Sequence, residues 1–447
     1  MRDRFRPKFP HFKVRRNNRP KLFLGEYIMK HGKFTFALAI LFSLIISASG
    51  QELGAKVNTF KKVPFDDAIN NLVEPSVMGY QYVLIKDGKV VTEGAGGKAR
   101  TGKDGNLNMT TSTPQNIGSL AKFLSGTTMI NLFEKPAAKT DPDYEKNGLQ
   151  ANLDRVIWGE FPKVWLNVIP GPFDKGITQR MIKFRQLLQH RSGFDEDWKA
   201  TKTDGTFPSQ LKNQFNADLY NKPKYANVNF TLGSYLLPLI EYHNLNYDLD
   251  VETNGMSSAD ADKLVRDRLG KRMDALMRER IWNKMSPKFN ATCDPKKDVK
   301  NTAAYGYPNK QAKGSGEFYS MMETIGHCVA VGGYYTSARD FANYVAHFSK
   351  TDLIVTQAGR DQMFKDGMPS DDRLVWTNAT TNTWINTNFK MSRVAWSNGI
   401  AGGVRTVLLR LPENHYLILF TTSPELSADD LFNVGTLAFK EGMKHNF

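Results

Sequence analysis

Ser119 and Lys122 stand three residues apart in the run Ile117-Gly118-Ser119-Leu120-Ala121-Lys122. Positions i and i+3 of a helix share a face, so a hydroxyl and an amine at this spacing can meet. A serine is a weak nucleophile at its own pKa and becomes effective beside a neutral lysine, or beside a partner that a lysine organises. Leu120, Phe123, Leu124, Ile130 and Leu132 recur with helical period from Ser119 to about residue 134. Ser119 therefore falls on a first helical turn, where the helix N-terminus favours developing negative charge. The spacing alone is not distinctive. Ser209 and Lys212 repeat it in a polar stretch, and a serine at a helix start also serves as an N-cap.

The elements that must position this turn are legible on both sides of it. Residues 80–85 and 89–93 read as strands joined at Asp87-Gly88, a strong hairpin signal. Short helical patterning covers 65–72, a polar stretch runs over 135–152, and a helix over 179–189 stops at Gly193. A buried helix is expected over 229–242 and a long charged amphipathic one over 257–285. Ser337, with Asp340 three residues on, caps a helix through residue 348. The chain then returns to strands over 405–411 and 416–422, turning at residues 412–414, and ends in a helix from about Ser427. Strands at both ends with helices between them predict an α+β fold. Its antiparallel sheet joins the N- and C-terminal segments, and a mainly helical lobe of about residues 135–330 is inserted.

Asn116-Ile117-Gly118-Ser119-Leu120-Ala121-Lys122-Phe123 resembles the nucleophile segment of the serine β-lactamase superfamily, in the branch of class C β-lactamases, D,D-peptidases and related esterases. Further segments agree in order. Leu187-Leu188-Gln189-His190-Arg191-Ser192-Gly193 is similar to that family's helix end with His-x-Ser-Gly, Tyr225-Ala226-Asn227 to its Tyr-x-Asn motif, and Gly332-Gly333-Tyr334-Tyr335-Thr336-Ser337-Ala338-Arg339-Asp340 to its Gly-Gly segment. With the two hairpins, the likeness covers roughly residues 60–445 and implies a β-lactamase/transpeptidase-like fold. Tyr-x-Asn also occurs at Tyr242, late in an apolar helix, and at Tyr307, before Pro308, where core packing and a loop are the expected roles. By resemblance, the Tyr225 phenol, its pKa lowered by Lys122, takes the Ser119 proton and returns it to the leaving group, while Asn227 holds the substrate carbonyl side.

The family's third motif, Lys-Thr-Gly or His-x-Gly, falls here on Ser397-Asn398-Gly399, followed by Ile400. Its cation is missing. The resemblance still implies an oxyanion hole from the backbone N–H groups of Ile400 and Ser119. Carboxylate recognition would then need Arg405, a little further along. The expected activity is an exported serine hydrolase forming an acyl-enzyme on an ester, amide or peptide, rather than an efficient β-lactamase. The rival is a binding protein that keeps the fold with impaired turnover, motivated by Ser397 and by the inserted residues 241–319.

Composition bounds the partners. The chain has 447 residues and a formal charge of +15, but residues 1–33 hold eleven basic and two acidic side chains, a net of +9. The 397 residues from Gln51 carry only +6 and give no reason to expect nucleic acid. Residues 34–46 are an uncharged apolar run after Lys30 and Lys33, with Ala48 and Gly50 placed for cleavage before Gln51. Residues 1–50 thus read as a leader with a signal peptide, starting at Met1 or Met29, and 51–447 as one catalytic domain in the periplasm or outside the cell. Thirteen apolar residues are too few for a stable span, so membrane contact is confined to the leader during export. Cys293 and Cys328 form either a disulfide across the 34 residues between them or two buried thiols. No serine has the glycines of a Gly-x-Ser-x-Gly elbow. The acidic run at residues 250–255 lacks the closing glutamate of a calcium loop, since Ala261 stands there. A small-molecule or peptide substrate is expected, without cofactor or metal.

Overall fold

The computed structural model describes residues 60–444 apart from 137–141, 146, 167–180, 197–204, 243, 319–324 and 365–372. The expected leader, with its apolar run at 34–46, and the first two residues of the helix expected over 179–189 lie outside the described residues. Asp87 and Gly88 adopt φ of 52° and 74° and turn β1 (Gly79–Lys86) into β2 (Lys89–Arg100), as Asp-Gly predicts. Further strands are β3 (Leu107–Asn108), β4 (Gln115–Asn116), β5 (Tyr335–Thr336), β6 (Asn378–Thr380), β7 (Val394–Ala401), β8 (Val404–Leu411) and β9 (His415–Thr421). Seven of them form one antiparallel sheet in the order β3-β2-β1-β9-β8-β7-β6, and β4 pairs with β5 beside it. The sheet joins the two ends of the chain: Tyr80 in β1 lies opposite Thr421 in β9.

Among the helices that matter for the site, α1 (Lys62–Val73) precedes the sheet, and α2 (Ala121–Glu134) follows the single 3₁₀ turn Gly118–Leu120. Every residue from Ala121 to Phe133 is buried. A helix buried all round belongs at the centre of a fold, so the stripe expected from periodicity understates it. α3 (Phe184–Leu188) is shorter than expected because Lys183 is extended and bridges to Val156. α4 (Asn227–Glu241) begins two residues before the expected start. α5 (Ser258–Arg280), capped by Ser257, buries Ala261, Val265, Leu269, Met273 and Met277 along one stripe. Arg280 reaches Glu241 of α4 at 3.1 Å inside the lobe. α6 (Ile325–Ala330), α7 (Ala338–Lys350) and α8 (Ala428–Met443) complete the set, the last two capped by Ser337 and Ser427. The stretch read as polar over 135–152 contains the short helices Pro142–Glu145 and Gly148–Leu153.

Alternate strand residues face opposite layers. Tyr80, Tyr82, Leu84, Val407, Leu409, Leu417 and Leu419 pack with α1 and α8, while Val83, Ile85, Leu408, Ile418 and Phe420 join the core of the helical lobe. Cys293 and Cys328 are disulfide-bonded, with Cα atoms 5.9 Å apart, which decides between the two alternatives the sequence left open.

Candidate active site

Ser119 lies in the 3₁₀ turn that enters α2, wedged between the edge of β7 and the segment after α6. Gly118 has φ of 51°, and a Cβ on it would stand 2.6 Å from the Ile400 backbone nitrogen, so only glycine allows this approach. Gly399 is required for the same reason from the other side, because its Cβ would overlap the Ile117 carbonyl oxygen. The turn is pinned by Thr406 Oγ1 donating to Ile117 O at 2.9 Å, by the Gly118 N–H donating to Asn116 Oδ1 at 2.7 Å, and by the Ile117 N–H donating to Tyr334 O at 3.0 Å.

Lys122 Nζ donates to Ser119 Oγ at 3.0 Å and to Val331 O at 2.8 Å. Its side chain is 1% exposed, and burial pulls the amine down from its usual range to about 7, with the Glu196 charge acting weakly the other way. Tyr225 donates its phenol hydrogen to Ser119 Oγ at 2.9 Å, and the same hydroxyl lies 3.3 Å from Asn227 Oδ1. The Tyr225 ring is half exposed, but its hydroxyl is turned inward. Burial of that end pushes the phenol up to about 12; the Ser119 hydrogen bond opposes the shift and the Glu196 charge adds to it. This direction corrects the expected lowering by Lys122. An amine that has itself lost much of its charge to burial cannot stabilise a phenolate.

His190, from the His-x-Ser-Gly segment, packs its ring 4.6 Å from that of Tyr225. Its Nδ1 accepts from the Ala226 N–H at 3.2 Å, and burial, then the Lys122 charge, hold the imidazole near 3 and so neutral. It therefore anchors the Tyr-x-Asn backbone and carries no charge. Asn227 opens α4 and donates through Nδ2 to Glu196 Oε2 at 3.1 Å, while Glu196 Oε1 accepts from the Val228 N–H at 2.9 Å.

The third-motif residues divide between the two faces of the sheet. Ser397 and Gly399 stand opposite Leu408 and Thr406, on the side of the helical lobe. Ser397 is 2% exposed, and its Oγ accepts from the Thr377 N–H at 3.5 Å. Asn398, opposite Val407, turns to the other side and accepts from Asn378 Nδ2 at 3.0 Å. Arg405 lies in register with Ile400 and Thr421, and hence in the row of Tyr80 on the α1 side of the sheet. Its guanidinium donates to the carbonyls of Gly402 and Val404. It therefore does not supply the missing charge: strand parity sends its side chain away from the Ser119 face.

The alternative sequence matches find structural roles. Ser209 and Lys212 lie in the helix Phe207–Gln214, capped by Thr206. The Tyr242 hydroxyl donates to Glu279, and the Tyr307 hydroxyl accepts from the Thr101 N–H. Asp250 and Glu252 pair with Lys163 and Arg268. Two participants were not legible in advance, the Val331 carbonyl and Glu196. The only signal for Glu196 is an acid three residues after Gly193.

An antiparallel sheet that pairs N-terminal with C-terminal strands, with a Ser-x-x-Lys turn held between its edge and a mainly helical lobe, defines the β-lactamase/transpeptidase-like fold. The Beta-lactamase family model matches residues 65–433, and the chain belongs to that family. Similar solved structures include FmtA from Staphylococcus aureus (14% identity, 86% of this chain and 92% of that one, TM-score 0.57). D-alanine carboxypeptidase AmpC from Burkholderia cenocepacia is similar as well (15%, 84% and 98%, 0.54), as is D-amino acid amidase from Ochrobactrum anthropi SV3 (16%, 86% and 98%, 0.54). At these identities the likeness is one of fold. No curated protein matches the chain by sequence.

Proposed function

We propose that this protein is an exported serine hydrolase that forms an acyl-enzyme through Ser119 on an ester, amide or peptide substrate. The observation that carries the reading is the convergence of Lys122 Nζ and the Tyr225 hydroxyl on Ser119 Oγ, at 3.0 and 2.9 Å. Neutral Lys122 accepts the Ser119 proton as Oγ bonds to the substrate carbonyl carbon. The carbonyl oxygen takes up negative charge between the N–H groups of Ser119 and Ile400. Tyr225, still protonated, gives its proton to the leaving group as the scissile bond breaks, leaving its phenolate to take a proton from water and the protonated Lys122 to return one to Ser119 Oγ. Water then attacks the acyl carbon with the roles reversed, releasing acid and free Ser119. In this reading Asn227 orients the substrate carbonyl side.

Ser397 in place of a cation favours a small ester, amide or peptide over β-lactams. The Cys293–Cys328 disulfide supports a compartment outside the cytoplasm, periplasmic or secreted. Incubation with a fluorophosphonate followed by intact mass tests the reading. A single adduct is expected on wild type and none on Ser119→Ala. Absence of any wild-type adduct leaves the impaired binding protein as the explanation, and labelling that persists in Ser119→Ala removes Ser119 as nucleophile.

A further inference from the structure

Among the described residues, the charges around Ser119 are one-sided. Glu196 is exposed beside Asn227, and among the described residues its two donors, Asn227 Nδ2 and the Val228 N–H, leave lone pairs on both carboxylate oxygens. Among the described residues no cation lies within ion-pair distance of it. Glu196 accepts from Asn227 Nδ2, the Oδ1 of Asn227 lies 3.3 Å from the Tyr225 hydroxyl, and that hydroxyl donates to Ser119. Its charge acts on both Lys122 and Tyr225, so it stands close to the reacting atoms. Among the described residues named around Ser119, none balances it. Ser397 is a buried hydroxyl, Arg405 is on the far face of the sheet, His190 is neutral, and Lys122 is only partly charged near neutral pH.

A negative cleft disfavours substrates with a carboxylate beside the scissile bond and favours those with an ammonium there. Resting on the reading of Ser119 as an acylated nucleophile, we infer that the substrate is an amine-bearing ester, amide or peptide. Glu196 pairs with its ammonium group and aligns the adjoining carbonyl against Asn227. Glu196 is a specificity residue in this account: it takes no proton and forms no bond.

The test uses two aryl fluorophosphonates that differ only in ending in an ammonium or in its acetamide. The rate of Ser119 adduct formation is followed by intact mass near neutral pH. In wild type the ammonium probe reacts about fivefold faster at low salt, the size of a partly exposed charge pair beside a reacting centre. That ratio falls toward one in ~0.5 M salt and in Glu196→Gln, which keeps an acceptor for the Val228 N–H. Because the ratio is read within each protein, a general loss of reactivity cancels, and the salt dependence of wild type needs no variant at all. Equal rates, a preference for the acetamide, or a ratio unmoved by both salt and Glu196→Gln overturns the inference while the acyl-enzyme stands. No adduct from either probe overturns the acyl-enzyme reading, and this inference with it.

Discussion

Ser119 Oγ receives two hydrogen bonds, so while Lys122 and Tyr225 are both protonated the hydroxyl has no group to lose its own proton to. Loss of a proton from Lys122 opens that path. With the amine near 7, the neutral fraction rises with pH, and Tyr225 near 12 remains an acid throughout. The rate of Ser119 labelling is expected to climb between about pH 6 and 8 and then level off, with an apparent pKa belonging to the coupled set. A single-turnover profile that stays flat over this range contradicts Lys122 as the base. The same burial makes Lys122 costly to the fold. Its unfolded pKa lies above the folded one, so between about 7 and 10 the unfolded chain binds the extra proton and stability rises with pH. Below 7 the penalty is felt in full. Lys122→Met is expected to abolish labelling yet unfold at a higher temperature than wild type near pH 6, with the gain shrinking toward pH 10. A lower Tm at pH 6 counts against the argument.

The three side chains that converge at Ser119 Oγ were legible as candidates because each sits on a local pattern: Ser119 and Lys122 on one helical turn, Tyr225 directly before a helix. The direction of the Tyr225 shift was not, since it depends on how thoroughly tertiary packing desolvates Lys122. Arg405 needed the strand register, because a single step of parity separates it from Thr406, whose side chain does face the turn.

The proposed oxyanion site rests on two elements pressed together, the Gly118–Leu120 turn and the end of β7. Gly118→Ala adds a Cβ 2.6 Å from Ile400 N at a φ of 51°. It is expected to cost about 1–3 kcal/mol of stability, measured by urea unfolding. Labelling should fall much further than that loss explains, because the strand carrying the Ile400 N–H is pushed off. Equal losses in both measurements would count against the close approach as the reason for the glycine. Cys328 lies three residues before Val331, the carbonyl that holds Lys122 Nζ, and ties α6 to Cys293. Reduction is expected to lower stability by about 3–4 kcal/mol for a loop of this length. It should also loosen the Lys122 contact, seen as slower labelling before global unfolding. At this scale, hairpins and capped helices could be read from Asp-Gly, Ser337 and Ser427. The length of α3 could not, because the extended Lys183 is fixed by its distant bridge to Val156.

Over the whole molecule, the sheet separates two cores, one with α1 and α8 and one with the helical lobe, and the site lies where the lobe meets the sheet edge. The α+β architecture was readable from the order of strands and helices along the chain. The pairing that closes the sheet was not, because Tyr80 and Thr421 carry no sequence mark of each other. That pairing also sets a schedule. During synthesis β1 and β2 emerge early, but the strand that completes the other edge of β1 follows more than three hundred residues later. Folding must therefore wait for a loop of more than three hundred residues to close, an entropically slow step. A nascent chain released before residue 415 is expected to carry Ser119 and Lys122 yet to resist labelling and to be cut readily by protease. The turn that holds Ser119 depends on a pairing made across that distance, so the first half of a growing polypeptide carries the hydroxyl and the amine without the geometry that would join them.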